Sequence, residues 1–453
     1  MKKILACIIS FAFICLSFSG CENNNEPSSS MYESDIESSY ETFYENMISS
    51  LSDENTVISE PEQSSSQTES PIEKYPPSAE KINVQNGATE NMLKRSLLYE
   101  GDSSRLAEKL SKALENPKQI TNICFLGDSI TAGSGSSQSA NAYVNRFKTW
   151  WEETISPYVD VKNAGIGATT SYLAVHRVEK QCFTDYTPDI IVIEFINDTD
   201  DEFYKASTDS LVRKCLEQPN NPAVILLEAA HNDGSSPHEA QLSAAQAYNV
   251  PMISYHDAVM PEINAGSMEW SEISGDNVHP NDAGHGIMAQ LLTNYISGIK
   301  DNLDLLDKTS KPFDPNTPSP CGDIYKDAVI NDKTDSSLLK VTDEGSFTED
   351  IEYPNIGKGW ATVSGGSITF EITAKNIGMA YGMRTDGKNA LAAVKVDDNE
   401  SVLINSNFAS GWGNYIKTEQ IFTSEKAETH TVTVTVIDDD TQTNFQLYSW
   451  LLS

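Results

Sequence analysis

The chain has 453 residues, enough for two or three domains. It carries 66 acidic and 31 basic residues, a net charge of −35, with no basic stripe. This balance excludes recognition of nucleic acid through its phosphates and favours solubility.

The N-terminus reads as an address. Lys2 and Lys3 precede an apolar run, Ile4 to Phe18, too short to span a bilayer comfortably. The run ends in Phe18-Ser19-Gly20-Cys21, which resembles the lipobox of bacterial lipoproteins. The resemblance implies a signal over 1–20, cleaved before Cys21, with lipidation of Cys21 and anchoring to the outside of a bacterial cell membrane. An ordinary signal peptide with an incidental cysteine is the alternative, and Phe18 stands where leucine is commonest. From Glu22 to Glu90 the chain is Ser, Glu, Asn and Pro, with 15 acidic and two basic residues. Such a composition buries too little apolar surface to offset its ordering entropy. A flexible acidic tether is therefore expected over 21–90. Beyond the tether four cysteines remain, Cys124, Cys182, Cys215 and Cys321, without metal-site spacing. Cys124 lies in an apolar run and reads as a buried thiol; one disulfide stays open.

Periodicity begins near Met92. Leu93, Leu97 and Leu98, then Leu106, Leu110 and Leu114, predict one or two amphipathic helices. Strand and helix signals then alternate. "ITNICFL", "YVDVKN", "DIIVIEF", "AVILLEA" and "PMISY" are strands. Helices are expected at 143–155, 171–181, 204–216, 238–248 and 282–299. This alternation predicts a parallel sheet covered on both faces over residues 91–305, an α/β domain of three layers, α/β/α. The uninterrupted apolar runs suit strands buried on both sides.

The pattern changes near Lys308. Residues 306–320 form a Pro-rich linker. Residues 321–453 show only short strand signals between Gly, Asn and Asp turns, which predicts a C-terminal β-sandwich. Trp360, Tyr381, Trp412, Tyr415 and Trp450 are candidates for stacking on sugar rings. Trp450 in "LYSWLL" suits the core, and Trp412 in the Gly-rich "ASGWGNY" is the better candidate for carbohydrate binding. "DDD" at 438–440 reads as a solvated turn rather than a calcium site.

In open α/β sheets, sites form beyond the carboxyl ends of the strands. Four polar clusters fall at such positions: Gly127-Asp128-Ser129, "NAGIGATT" at 163–170, Asn197-Asp198, and "DNVHP" at 276–280. A serine hydroxyl needs a base, and His279 is the candidate. Asp276 is three residues earlier, close enough to orient the imidazole and stabilise its cation. The Ser129 N–H, the Gly167 N–H and the Asn197 amide suit an oxyanion hole. His231 reads as a rim residue and His285 as one packed at the last helix. No metal cluster and no cofactor motif appear.

These residues resemble the conserved blocks of the SGNH/GDSL hydrolases. The resemblance covers roughly residues 118–303. It implies a nucleophile at Ser129, an Asp-x-x-His pair at Asp276 and His279, and oxyanion donors at Ser129, Gly167 and Asn197. Two departures stand out. The second block is one residue short, so Gly165 is an alternative donor. Phe195-Ile196-Asn197-Asp198 has Phe where the family has Gly, which puts the acyl pocket in question. With the export signal and the β-rich appendage, the chain is similar to carbohydrate O-acetylesterases. That implies a serine esterase acting on acetylated polysaccharide or oligosaccharide, needing no cofactor, and meeting the membrane only through its lipid. A lipase or thioesterase with the same site, and a non-catalytic glycan-binding lipoprotein, are the alternatives.

Overall fold

The computed structural model describes residues 71–437 and 441–453. The signal segment, Cys21, the tether up to residue 70 and the aspartates 438–440 lie outside the described residues.

After helix α1 (Glu90–Arg95) the chain enters a six-stranded sheet. Strands β2 (Thr121–Gly127), β3 (Val159–Gly165), β4 (Ile190–Glu194), β5 (Ala223–Glu228) and β6 (Met252–Ser254) run parallel in the order β6-β5-β4-β2-β3. Every residue of β4 and β5 is buried, as their uninterrupted apolar runs require. The sheet is not wholly parallel. Leu97 and Leu98, expected in a helix, belong to a short antiparallel edge strand, β1 (Leu97–Tyr99), with Leu97 opposite Ile253. The free backbone groups of β6 favour pairing here over another helical turn.

Helices α2 (Ser104–Glu115), α3 (Tyr143–Thr154), α4 (Ser171–Val178), α5 (Glu202–Leu216), α6 (His238–Tyr248), α7 (Tyr255–Asn264) and α8 (Asp282–Asp301) connect and close the strands. α2, α3, α7 and α8 cover one face around Phe125, Phe147, Trp151 and Leu291. α4, α5 and α6 cover the other around Leu126, Leu173, Leu211 and Leu226. α4 stops at Val178, short of the expected 181, and continues as a π-helical turn, Glu179–Phe183.

The end of the expected tether and the Pro-rich linker are both bound to the α/β domain. The expected tether gives way at residue 71. Arg95 is fully buried, donates to Tyr75 O at 2.7 Å and pairs with Glu262 at 2.5 Å. Glu262 also accepts from the Ser78 N–H at 2.7 Å, and Val84 is buried. The polar composition of 71–90 conceals this, because the hydrogen bonds to Arg95 and Glu262 are made by its backbone. The Pro-rich linker is likewise a strap along α5. Arg213 donates to Pro315 O at 2.6 Å and Thr317 O at 2.8 Å, and Ser319 Oγ donates to Asp209 at 2.5 Å.

The C-terminal domain is antiparallel. Strands β7 (Val329–Asn331), β8 (Leu339–Asp343), β9 (Glu349–Tyr353) and β10 (Gly357–Thr362) precede β11 (Gly366–Met383), β12 (Leu391–Val396), β13 (Val402–Asn405), β14 (Tyr415–Ile437) and β15 (Phe445–Leu452). They form a nine-stranded sheet folded as a β-sandwich, with β11 and β14 paired along most of their lengths. The register of β11 shifts around Ala374–Gly378. Ile368, Phe370 and Ile372 precede the shift, Ile377, Met379 and Tyr381 follow it, and all reach one core. Such an irregularity moves the inward side chains from even to odd positions while the chain bends. The opposite side of the second half packs on the α/β domain. Ala380, Ile416, Tyr448 and Leu451 share a cluster with Tyr172, Leu173 and Val178 of α4. A Cβ at Gly378 would collide with the Tyr172 hydroxyl, so the two domains meet closely.

Candidate active site

β2 ends at Gly127, and the chain turns at once into a one-turn helix, Ser129–Ala132. Asp128 caps it, its Oδ1 accepting from the Ile130 N–H at 3.0 Å. This turn presents Ser129 at the sheet edge. Across the crevice, the loop before α8 carries Asp276 and His279. The His279 Nε2 is 2.9 Å from Ser129 Oγ, and its Nδ1 is 2.7 Å from Asp276 Oδ2. Three side chains from two distant parts of the sequence thus form one hydrogen-bonded chain.

The acid loop is internally held. Asp276 Oδ1 accepts from the N–H groups of Val278 at 2.8 Å and His279 at 2.7 Å. Ser274 Oγ lies 2.7 Å from the His279 carbonyl and 2.8 Å from the Asp276 carbonyl, between which its one hydrogen is shared, and Trp270 Nε1 donates to the Asp276 carbonyl. Partial burial works to raise the Asp276 carboxyl, but the His279 N–H, the His279 ring and the Val278 N–H outweigh it. The carboxyl lies below its ordinary value and is ionised, as a partner for imidazolium must be. The Gly-rich "GSGSS" supports His279 from the other side. Gly135 has φ +88°, and a Cβ there would strike the Pro280 carbonyl and sit 3.0 Å from His279 Cβ.

Gly167 comes close to Ser129: a Cβ built on it would be 3.8 Å from Ser129 Cβ. The N–H groups of Ser129 and Gly167 have no acceptor among the described residues. Gly165, the alternative donor, gives its N–H to Asn163 Oδ1 at 2.9 Å and packs against the backbone of Ala132. Asn197 lies at the site, but its Nδ2 donates to Asp128 Oδ2 at 2.9 Å and to Thr169 O at 3.1 Å. An amide nitrogen has two hydrogens, and both are engaged here. Phe195 is 1% exposed and packs into the core beneath α4 and α5, so it stays out of the site.

Several supporting residues escaped the sequence reading. Glu194, the one charge inside the apolar strand β4, is fully buried beside Ser129's turn, as are Thr131 and Tyr143. Arg177 is sealed and donates to the carbonyls that end β2 and β3, Gly127 O at 3.2 Å and Ala164 O at 2.9 Å. Burial raises the Asp128 carboxyl to about 6, opposed by N–H donors from Ile130, Asn197 and Ile196. A charge inside an apolar run was the available signal for Glu194; nothing marked Arg177. His231 sits on the loop whose Asn232 binds Asn277 through N–H···O at 2.9 Å, beside the acid loop. His285 is buried in α8, with Nε2 2.9 Å from Ser134 O and its ring stacked on Tyr143. Among the described residues, no group of three or more His, Cys, Asp or Glu is arranged to hold a metal.

Residues 125–287, which contain this whole constellation, match the GDSL-like lipase/acylhydrolase family. The match falls entirely within the α/β domain. The protein is a serine ester hydrolase, and its likeness to solved structures extends beyond the matched segment. It is similar to a two-domain esterase active on acetylated mannans, at 28% identity and a TM-score of 0.70, over 80% of this chain and 98% of that one. The same figures hold for such an esterase co-crystallised with mannopentaose. Among curated proteins, none matches this chain.

In the β-sandwich, Trp360, Tyr381 and Trp450 are core residues, each at most 1% exposed. Trp412 is 72% exposed. Its ring stacks on Tyr415, with centroids 5.0 Å apart and planes 21° from parallel.

Proposed function

We propose that this protein is an exported, lipid-anchored esterase that removes acetyl groups from polysaccharide. The observation that carries the mechanism is the Asp276–His279–Ser129 chain facing the free N–H groups of Ser129 and Gly167. Ser129 Oγ attacks the ester carbonyl while His279 Nε2 takes its proton. Asp276 holds the imidazole tautomer and offsets its charge. The oxyanion is stabilised by the Ser129 and Gly167 N–H groups, and Asn197 joins by turning one Nδ2 hydrogen away from Thr169 O. Collapse expels the sugar oxygen, which receives the proton from His279, and leaves acetyl-Ser129. A water activated by His279 then releases acetate.

The substrate rests on the likeness to an acetylmannan esterase, which spans both domains. Trp412 on Tyr415 offers an exposed aromatic surface for the apolar face of a pyranose ring. Cys21 is the proposed lipid attachment point, which sets the enzyme at the outer cell surface.

Acetate release from acetylated mannan, with 4-nitrophenyl acetate as a small ester, tests this. The wild type is expected to hydrolyse both and Ser129→Ala neither. An equally active Ser129→Ala variant overturns the mechanism. Preference for long-chain acyl or thioesters over acetylated mannan overturns the substrate.

A further inference from the structure

We propose that Cys124 and Cys182 join as a disulfide when the chain folds under oxidising conditions. Their sulfurs lie 3.3 Å apart. Cys124 is in the middle of β2, and Cys182 is in the π-helical turn that continues α4. The side chains are 0% and 1% exposed, so both sulfurs sit in apolar packing that holds them together. Cys215 and Cys321 make no hydrogen bond to either sulfur.

Because both sulfurs are sealed in the finished fold, exchange takes place before this core closes. One of the two thiolates attacks a sulfur of a disulfide oxidant, such as oxidised glutathione or an exported thiol oxidase, and expels one thiolate. The other cysteine then gives up its proton and attacks the cysteine sulfur of the mixed disulfide, expelling the second. Two cysteine thiols and one external disulfide become one cystine and two external thiols.

The bridge would close a loop of 58 residue steps that contains Ser129 and Gly167. Its effect falls on the unfolded chain, whose freedom it restricts. The nucleophile turn and the oxyanion loop then lie inside one covalent ring.

The test uses the full chain, unfolded and refolded with a glutathione redox buffer, then alkylated in denaturant without reduction. Peptide mapping is expected to show Cys215 and Cys321 alkylated and Cys124 linked to Cys182. The melting midpoint is expected to fall by several degrees after refolding with dithiothreitol. Cys124→Ser and Cys182→Ser are expected to melt at one midpoint whether refolded with or without the reductant. Alkylation of Cys124 and Cys182 along with Cys215 and Cys321 after oxidative refolding overturns the proposal, as does a bridge through Cys215 or Cys321. The mapping needs only wild-type protein, so a variant that folds poorly does not affect the outcome.

Discussion

Glu194 Oε2 and Thr131 Oγ1 share a 2.7 Å hydrogen bond in a space closed to solvent. Thr131 also meets the Tyr143 hydroxyl at 2.8 Å, and Glu194 Oε1 accepts from the Ile196 N–H at 3.1 Å. One carboxyl thus ties the nucleophile turn to the loop that carries Asn197. Burial, reinforced by nearby Asp128, holds that carboxyl well above its ordinary value. Removing it leaves buried donors unpaired, at ~1–3 kcal/mol each. Glu194→Ala is expected to lose ~3 kcal/mol or more of stability. Glu194→Gln, which keeps shape and an acceptor for Ile196, is expected to lose about 1 kcal/mol. Urea unfolding of both variants checks the difference.

Asp198 gives the stability a pH dependence. Burial raises its carboxyl to about 7, against hydrogen bonds from Ser171 and Thr208. An aspartate in the unfolded chain titrates near about 4. The folded form therefore holds the proton more tightly, and Asp198 stabilises fully below about pH 4. That contribution, up to ~4 kcal/mol, fades as pH rises through about 7. Asp128, raised to about 6, adds a slope of the same sign. Asp198→Asn is expected to flatten the fall in unfolding free energy between about pH 4 and 7, by ~2–4 kcal/mol. Unfolding curves across that range measure it, and an unchanged slope would falsify the assignment.

Asp276→Asn keeps an oxygen for the Val278 and His279 N–H groups but places an amide against His279 Nδ1. The ring is then held in the wrong tautomer. The expected result is a loss of kcat by roughly 10²- to 10⁴-fold with the loop fold intact. Steady-state kinetics on 4-nitrophenyl acetate, with circular dichroism alongside, separate this from misfolding.

Gly135 and Gly275 flank the same histidine loop under opposite constraints. Gly135 has φ +88° and no room for a Cβ, whereas a Cβ at Gly275 meets nothing within 4 Å. Gly135→Ala is expected to displace His279 and reduce kcat by about 10²-fold. Gly275→Ala is expected to retain wild-type turnover.

Trp412→Ala should leave the melting midpoint unchanged, because the ring is exposed. If the ring stacks on sugar, KM for acetylated mannan rises roughly two- to tenfold, the equivalent of ~0.5–1.5 kcal/mol. Turnover of 4-nitrophenyl acetate stays the same. An unaltered KM on the polymer removes Trp412 from the substrate path.

The polar clusters at strand ends were readable because catalysis needs fixed residue types at the carboxyl edge of a parallel sheet. "GDS", "NAGIGATT", Asn197 and "DNVH" all fall there. The buried brace around Glu194 was hidden, since one charge in an apolar strand says nothing about its partners. Asn197's second bond, to Thr169 O, depends on how two loops approach and has no local signal. The binding of 71–90 and 306–320 escaped for a related reason: their carbonyls and N–H groups carry the contacts, and every composition supplies those. β7 to β10 are short, and β8 and β9 are largely exposed, so their apolar pattern is faint.

The apolar seam between α4 and the sandwich sets a limit on modular exchange. Tyr172, Tyr325, Ile416 and Leu451 belong to one buried cluster. Cutting the chain after residue 320 would strip one side of that cluster and present oily helix faces to water. Such a fragment would be driven to aggregate rather than behave as a minimal hydrolase. The two domains are therefore obliged to be inherited, expressed and engineered as one piece, unlike appendages strung on free linkers.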